Sequence, residues 1–239
     1  YQPQINVVTN RVVGMEALLR WQHPTRGLLP PAEFIGLAEE TGLIVSIGNW
    51  VLKTACAQMR AWREAGIQLE RIAVNLSPQQ LEQSTFVDSV LAITSKCESA
   101  NCLELEITEG AIMKDVENAI GKLKVLGSAG VKIAIDDFGT GYSSLSYLKK
   151  FPIHSVKIDQ SFVHDITKEG DTSIVRAIVA MAKGLRLNVV AEGVETEYQL
   201  TSLRALDCEE MQGFLFGYPL TAIDATKLLT ENLKLSMAG

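Results

Sequence analysis

Val131-Lys-Ile-Ala-Ile-Asp-Asp137 is the stretch of sequence that decides the fold. Its β-branched and aliphatic residues predict a strand. Because successive side chains of a strand point to opposite faces, Lys132 and Asp136 share one face, while the other face is wholly aliphatic. The stretch therefore predicts a buried strand that has a carboxylate near its C-terminal end and a second carboxylate directly after it.

Similar strands recur along the chain. They are predicted at Val12–Leu18, Arg71–Ser77, Leu103–Thr108, Ser155–Asp159, Leu187–Gly193 and Glu210–Phe214. Between them apolar residues recur at helical spacing, for example after Asp115 and Thr172, and Pro30-Pro31 precedes a helix that runs through Glu40 and stops at Gly42. This alternation predicts an α/β fold with parallel strands, either in a barrel or in an open doubly wound sheet.

Length and composition predict one domain. Of 239 residues, 47% are hydrophobic and 21% are charged, which is enough to bury one large core, so residues 1–239 are assigned to a single domain. The chain begins at Tyr1 without an initiator methionine. We therefore expect it to be a piece cut from a longer protein.

Charge and hydropathy argue against two classes of partner. The formal charge of -6 is the opposite of the basic surface that binds DNA or RNA polymers. No apolar run approaches the roughly 18 residues of a membrane span, and there is no signal peptide. We expect a cytoplasmic domain that does not itself enter a membrane, with any inner-membrane anchor carried by other domains of the full-length protein.

The cysteines form no Cys-x-x-Cys pair, so they are expected to be buried free thiols in a reducing compartment. They are Cys56, Cys97, Cys102 and Cys208.

Oxygen-bearing side chains cluster where the predicted strands end. Barrel active sites are built at the C-terminal ends of strands, and carboxylates so close together repel unless a cation neutralises them. Donors of this kind without His or Cys suit Mg²⁺ or Mn²⁺ rather than zinc. The residues are Glu16, Asn75, Glu106, Asp136, Asp137, Asp159 and Glu192.

Seven such ligands exceed one octahedron, so we expect two ions that share Asp136 or Asp137. Two-metal sites are typical of phosphodiester hydrolysis, in which one ion activates water and the other holds the leaving oxygen. Lys157 falls on the same face, where it has either a lowered pKa or a role in orienting water as a cation. Ca²⁺ is expected to bind and inhibit, because its longer bonds would spread the two ions.

A second layer of charge is predicted below these ligands. Glu104 and Lys132 share strand parity with Glu106 and Asp136, so both should point into the barrel. A buried Glu104 requires at least one cationic partner, and Arg71 competes with Lys132 for that role.

An enolase-type barrel enzyme also combines strand-end carboxylates, Mg²⁺ and a lysine base, but it acts on a carboxylate substrate. Asn75, the adjacent Asp136 and Asp137, and Arg20 at the same rim favour a phosphate, because a guanidinium matches phosphate oxygens bidentately.

Seven blocks of sequence, in order from end to end, resemble the EAL-domain family. Glu16-Ala17-Leu18 followed by Leu19-Arg20-Trp21 resembles the signature that names it. The other blocks are Val74–Ser77, Glu106–Glu109, Asp136–Leu145, Lys157–Asp159, Ala191–Thr196 and Gln212-Gly213. Two departures are Gln4, where an apolar residue is usual, and Gly217, which is often Ser.

The resemblance implies a modified TIM-like (β/α)₈ barrel whose first strand, Tyr1–Val8, runs antiparallel to the rest. It also implies a phosphodiesterase that uses two Mg²⁺ or Mn²⁺ ions to hydrolyse cyclic di-GMP to linear pGpG. A homodimer is expected, with GGDEF or other sensory domains elsewhere in the full-length chain. The alternative is a catalytically silent cyclic di-GMP receptor or scaffold.

The resemblance also implies roles for individual residues. Lys157, Glu16 and Glu192 would be catalytic, and the seven oxygen donors named above would hold the metals. Glu109 would support the loop that begins at Asp137 and joins catalysis to dimer formation. Substrate would be bound by Gln2, Leu18, Arg20, Asp137, Glu195 and Gln212.

Overall fold

The structure, a computed structural model, describes residues 1–96, 100–141, 148–167 and 170–231. Cys97 and residues 142–145 of the loop block lie outside these ranges. Among the described residues, no helix combines the length and the apolar character needed to cross a bilayer.

Eight strands form a closed barrel, and a separate hairpin precedes the first helices. The strands, in chain order, are β1 Gln2–Asn6, β2 Arg11–Ala17, β3 Trp21–His23, β4 Gly27–Leu29, β5 Arg71–Asn75, β6 Leu103–Thr108, β7 Lys132–Phe138, β8 Ser155–Ile158, β9 Asn188–Ala191 and β10 Glu210–Met211. The order around the barrel is β1-β10-β9-β8-β7-β6-β5-β2, with β3 and β4 forming the hairpin.

The first strand has the predicted direction. β1 is antiparallel to both of its neighbours, β2 and β10, whereas the other neighbouring pairs in the barrel are parallel. The modified (β/α)₈ barrel is therefore confirmed, and the open doubly wound sheet is excluded. The β3–β4 hairpin was not predicted.

Helices follow most of the strands. They are α1 Ile35–Glu40, α2 Leu43–Glu64, α3 Pro78–Glu82, α4 Phe86–Lys96, α5 Glu109–Met113, α6 Val116–Ser128, α7 Gln160–His164, α8 Ser173–Leu185, α9 Glu197–Ala205 and α10 Ala222–Thr230. The predicted stop at Gly42 is confirmed, because its φ of 71° ends α1 before α2 begins. Ser77, predicted at a strand end, instead caps α3 and exchanges hydrogen bonds with Gln80.

The predicted strand Glu210–Phe214 is too long, because β10 ends at Met211. Beyond it the chain bonds to Ala191 and Val194. The Gln212 N–H donates to the Ala191 carbonyl, the Val194 N–H donates to the Gln212 carbonyl, and the Leu215 N–H donates to the Val194 carbonyl. A Cβ added at Gly213 would lie 2.1 Å from that carbonyl oxygen. Only glycine fits this close approach, and the strand ends there.

The aliphatic faces of the strands pack under the helices. Val131, Ile133 and Ile135 are each at most 1% exposed. Cys102 and Cys208 are buried free thiols as predicted, and Cys56 is buried as well.

A polar layer fills the barrel below the strand ends. Arg71 Nε lies 3.2 Å from Glu104 Oε1 and donates to Gln4 Oε1 at 2.9 Å, while its Nη2 donates to Glu210 at 2.5 Å. Ser155 donates to the other Glu104 oxygen at 3.0 Å. These residues come from strands that are not all neighbours, so their contacts cross the interior.

The predicted inward direction of Glu104 is confirmed, and its cation is Arg71. Lys132 is half-buried at the start of β7. Gln4 belongs to this layer, because its carboxamide oxygen accepts a hydrogen bond from Arg71. A Cβ on Gly14 would lie 2.5 Å from the Gln4 oxygen, which accounts for glycine in the middle of β2.

We predict that Arg71→Met lowers the free energy of unfolding by about 3–5 kcal/mol, because it leaves the buried Glu104 carboxylate without its cation. Urea denaturation followed by circular dichroism measures this. Lys183→Met is the control, since it removes an exposed pair with Asp207 that contributes at most about 1 kcal/mol. Equal losses in the two variants would contradict the assigned role of Arg71.

Candidate active site

Lys157 lies at the centre of a group of carboxylates at the C-terminal ends of the strands. Its side chain is 1% exposed, and Nζ lies 2.8 Å from both Glu106 and Glu192. Asp136 is 3.2 Å away and Glu16 is 3.7 Å away. The strand parity read from the sequence therefore brings five predicted site residues together.

This arrangement sets the protonation of its members. Burial lowers the pKa of Lys157, but the surrounding carboxylates, Glu106 foremost, raise it well above its ordinary value. Burial and the charge of Glu16 raise the pKa of Glu106 well above the ordinary range, although Lys157 opposes them. One ammonium does not compensate all the buried carboxylates, so the site favours an additional cation.

Hydrogen bonds hold Glu16 in its ionised form. Its two oxygens accept from Asn75 Nδ2 at 2.6 Å and from Gln212 Nε2 at 2.5 Å. Burial raises the pKa of Glu16, but the Lys157 charge and these two donors together lower it. Gln212 also donates to Gln2 at 3.2 Å, which links the first and last strands of the barrel to the site.

Asp136 and Asp137 reach the same side of the sheet although they are consecutive. The pairing of β7 with β8 shifts register between Ile135 and Phe138, and Asp137 has a φ of 52°. The Asp137 N–H donates to Asp136 Oδ1 at 3.0 Å. The irregularity therefore turns a second carboxylate into the site.

Asp159 contributes a further carboxylate beside Asp136 and Asp137. Its carboxylate caps α7 through the Ser161 N–H at 3.0 Å. Burial raises the pKa of Asp137 to about 6, with further contributions from the charges of Asp136 and Asp159.

Oxygen atoms of Asp136, Asp137 and Glu192 lie within 4.8 Å of one another, close enough to hold one metal ion. Burial raises the pKa of Glu192 to about 8 although Lys157 opposes it. Glu106 Oε1 is buried and, among the described residues, has no hydrogen-bond partner. A donor set made only of oxygen, with an unsatisfied buried carboxylate atom, fits a hard divalent cation such as Mg²⁺ or Mn²⁺.

A cavity of about 270 Å³ opens above these residues. The predicted residues that line it are Gln2, Glu16, Leu18, Asp136, Lys157, Glu192, Glu195 and Gln212. Four lining residues were not predicted to belong to the site: Gln160, Gly193, Gly213 and Phe214. Two of them directly follow candidate metal ligands, Gln160 after Asp159 and Gly193 after Glu192, and this adjacency was a usable signal.

Arg20 and Glu109 lie apart from the central group. Arg20 is half-buried, donates from Nη1 to the Leu19 carbonyl at 2.7 Å, and is not among the residues that line the cavity. Glu109 is buried at the start of α5, and a Cβ added at Gly141 would lie 2.5 Å from its Oε2. The Glu109 carboxylate thus packs against the loop that follows Asp137.

Comparison with known proteins places the chain in a family. The profile of the EAL domain matches residues 1–219. The chain belongs to the EAL-domain family. This EAL domain is 48% identical over 224 residues, 93% of its length, to the bifunctional diguanylate cyclase/cyclic di-GMP phosphodiesterase MucR of Pseudomonas aeruginosa. It is 44% identical over 98% of its length to the cyclic di-GMP phosphodiesterase PdeR of Escherichia coli.

The EAL domain spans 33% of the MucR chain and 35% of the PdeR chain, about a third of each relative. A solved structure of the Pseudomonas aeruginosa MucR phosphodiesterase in complex with cyclic di-GMP superposes with a TM-score of 0.91 at 47% identity. That match covers 94% of this EAL domain and 92% of the other chain.

We predict that Glu106→Gln separates metal binding from stability. Because the buried Glu106 carboxyl already favours its neutral form, the amide should leave the unfolding temperature of the metal-free protein within about 3 °C of the unmutated value. The affinity for Mn²⁺ should fall at least about tenfold with the loss of an anionic ligand. Calorimetric titration with Mn²⁺ and thermal unfolding in chelator measure the two effects.

The matched control is Glu64→Gln, which changes an exposed carboxylate on α2 and should alter neither quantity. Unchanged Mn²⁺ affinity in Glu106→Gln would exclude Glu106 from the metal site.

Proposed function

We propose that this EAL domain is a metal-dependent phosphodiesterase that hydrolyses cyclic di-GMP to linear pGpG. The observation that carries the proposal is the buried Lys157 ammonium, with four carboxylates within 4 Å of it at the C-terminal ends of the strands. Catalytically silent domains of this family usually lack one or more of the motif residues, whereas here every expected ligand position is filled. The named relatives support the same substrate.

The chain offers oxygen ligands for two Mg²⁺ or Mn²⁺ ions. When bound, such ions lower the pKa of a coordinated water and neutralise charge on a phosphoryl group. The residues that would hold them are Glu16, Asn75, Glu106, Asp136, Asp137, Asp159 and Glu192.

Lys157 acts on the water and on the charge of the reacting group. Its raised pKa keeps it protonated at neutral pH, so it donates hydrogen bonds and does not act as a neutral base. Glu106 and Glu192 each hold Nζ at 2.8 Å, and Lys157 is one of the residues that line the cavity. A fixed cation positioned in this way stabilises developing negative charge without reorganisation.

Substrate binding is assigned to the polar rim of the cavity. Gln2, Gln212, Leu18 and Glu195 line it, and Asp137 has an oxygen within 4.8 Å of those of Asp136 and Glu192, which also line it. Arg20 uses one N–H on the Leu19 carbonyl and retains donors for a phosphate oxygen. We add Gln160 to this set, because its carboxamide lines the cavity directly after Asp159.

For the whole protein we propose one EAL domain, cytoplasmic and homodimeric, within a longer chain that carries sensory or GGDEF domains. The support is the length of the relatives and the name of MucR, a bifunctional cyclase and phosphodiesterase. Glu109 is proposed to brace the loop after Asp137, which it contacts through Gly141.

Glu16→Ala and Asp136→Ala should each abolish hydrolysis while the fold is retained, because each removes an anionic ligand at the exposed end of the barrel. Chromatographic measurement of pGpG formation from cyclic di-GMP with Mg²⁺ tests this. If a folded variant retains a tenth of the unmutated turnover, the metal site assigned here is wrong. Tight binding of cyclic di-GMP by the unmutated chain without turnover would instead identify a receptor.

Ca²⁺ should bind the site, fail to support turnover, and inhibit the Mg²⁺ enzyme. Ca²⁺ takes six to eight oxygens at about 2.3–2.6 Å, whereas Mg²⁺ requires about 2.0–2.1 Å. Errors in position of about 1 Å can reduce the rate on the order of a hundredfold. Rates of pGpG formation in chelator-stripped protein supplied with Mg²⁺, Mn²⁺ or Ca²⁺ decide it, and comparable rates with Ca²⁺ and Mg²⁺ would refute the argument.

Gln160→Ala should raise KM for cyclic di-GMP about fivefold or more and leave kcat within about twofold, since a rim contact contributes equally to ground and transition states. Steady-state kinetics with Mg²⁺ measures both constants. The control is Gln83→Ala, an exposed carboxamide beyond α3. A large fall in kcat with unchanged KM would assign Gln160 to the chemistry instead.

A further inference from the structure

A cavity of about 460 Å³, larger than that of the active site, lies on the outside of the barrel between α2 and α4. The C-terminal ends of the two helices are in contact, because Arg60 donates from Nη1 to the carbonyl of Lys96, the last residue of α4, at 3.5 Å. Asn49 and Ser89, from the N-terminal halves of α2 and α4, line the same cavity. The space between them is therefore a groove along both helices, and we call it the α2–α4 groove.

The charge of the α2–α4 groove is opposite to that of the protein as a whole. The chain carries a formal charge of -6, yet the groove is lined by Lys53, Arg60 and Lys96 and by no carboxylate among its described lining residues. Among the described residues, the acidic partner of Arg60 is Glu64, at 3.6 Å, but both side chains are more than half exposed. An exposed pair of this kind contributes little, so a stronger anion can displace it.

The remaining lining residues suit the uncharged part of a ligand. Ala57 and Ala92 leave room between the helices, and the buried side chain of Ile93 gives the floor an apolar surface. Asn49 and Ser89, toward the N-terminal ends of the helices, offer donors and acceptors for hydrogen bonds. A volume of this size falls within the range of small-molecule sites, about 300–1,000 Å³.

We propose that the α2–α4 groove binds a nucleotide, with its phosphates on Arg60 and Lys96 and its base over the floor at Ala57. This site differs from the active site in its electrostatics, since it holds phosphate through cationic side chains without a metal ion. It is also separate in position, because the two cavities have no lining residue in common in the part of the chain that the structure describes.

The probe is GDP, added to chelator-treated protein, in which the acidic active site repels phosphate. Nuclear magnetic resonance should show saturable shifts confined to amides of α2 and α4. Arg60→Gln and Lys96→Gln should each weaken binding of GDP about tenfold, because each removes a charge-assisted hydrogen bond. Lys183→Gln, which removes a cation on α8, should leave the affinity unchanged.

Ala57→Leu tests the floor, since leucine keeps the helix but fills the groove. It should weaken GDP about tenfold and leave the weaker binding of inorganic pyrophosphate unchanged. The proposal is overturned if pyrophosphate binds the unmutated protein as tightly as GDP, if Lys183→Gln has the effect of Arg60→Gln, or if the shifts lie outside the two helices. Unchanged unfolding temperatures show that the variants are folded.

Discussion

The attraction between the buried ammonium of Lys157 and the carboxylates around it is the interaction on which the rest of the structure depends. Nζ meets Glu106, Glu192, Asp136 and Glu16, which come from different strands of the barrel. Without the lysine, these carboxylates would repel one another in a partly desolvated space. With it the group still holds four carboxylates around one ammonium, and burial together with the neighbouring negative charges raises the pKa values of Glu106 and Glu192. A divalent cation would offset this remaining negative charge.

The barrel contains two polar layers, of which the lower one stabilises the fold and the upper one forms the candidate active site. In the lower layer, Arg71 bonds to Glu104, Glu210 and Gln4, so the charged groups are paired within the protein, and Gln4 Nε2 is the atom of this layer that lacks a hydrogen-bond partner among the described residues. In the upper layer, Glu106 Oε1 lacks a hydrogen-bond partner among the described residues, and the carboxylates face a cavity. Unsatisfied buried polar groups cost stability, and they persist at sites where a ligand completes their coordination. The lower layer therefore stabilises the fold and the upper layer is open to a ligand, although both layers come from the same alternation of polar and apolar residues along the strands.

Most of the site could be predicted from strand parity, because successive side chains of a strand point to opposite faces whatever the neighbouring strands are. It placed Glu16, Glu106, Lys157 and Glu192 on one face and gave Glu104 its inward direction. It could not predict the register shift that turns both Asp136 and Asp137 into the site, since an irregular pairing depends on the neighbouring strand. The early end of β10 could not be predicted for a similar reason. Glycine is required at position 213 by the close approach of the Val194 backbone, which is distant in sequence. The α2–α4 groove depends on how two helices pack, and no local pattern encodes that.

The backbone at Asp137 connects the chemistry of the site to the loop that follows. A φ of 52° is unfavourable for an aspartate and persists only where the surroundings enforce it. Those surroundings include the loop itself, because a Cβ on Gly139 would lie 2.9 Å from Phe162 and one on Gly141 would lie 2.5 Å from Glu109. Phe162 belongs to α7, whose N-terminal cap is Asp159, so the loop packs on the helix that a second candidate metal ligand begins. A displacement of the loop would therefore relax Asp137 and disturb Asp159 together, so the geometry of two candidate ligands depends on a segment outside the barrel wall.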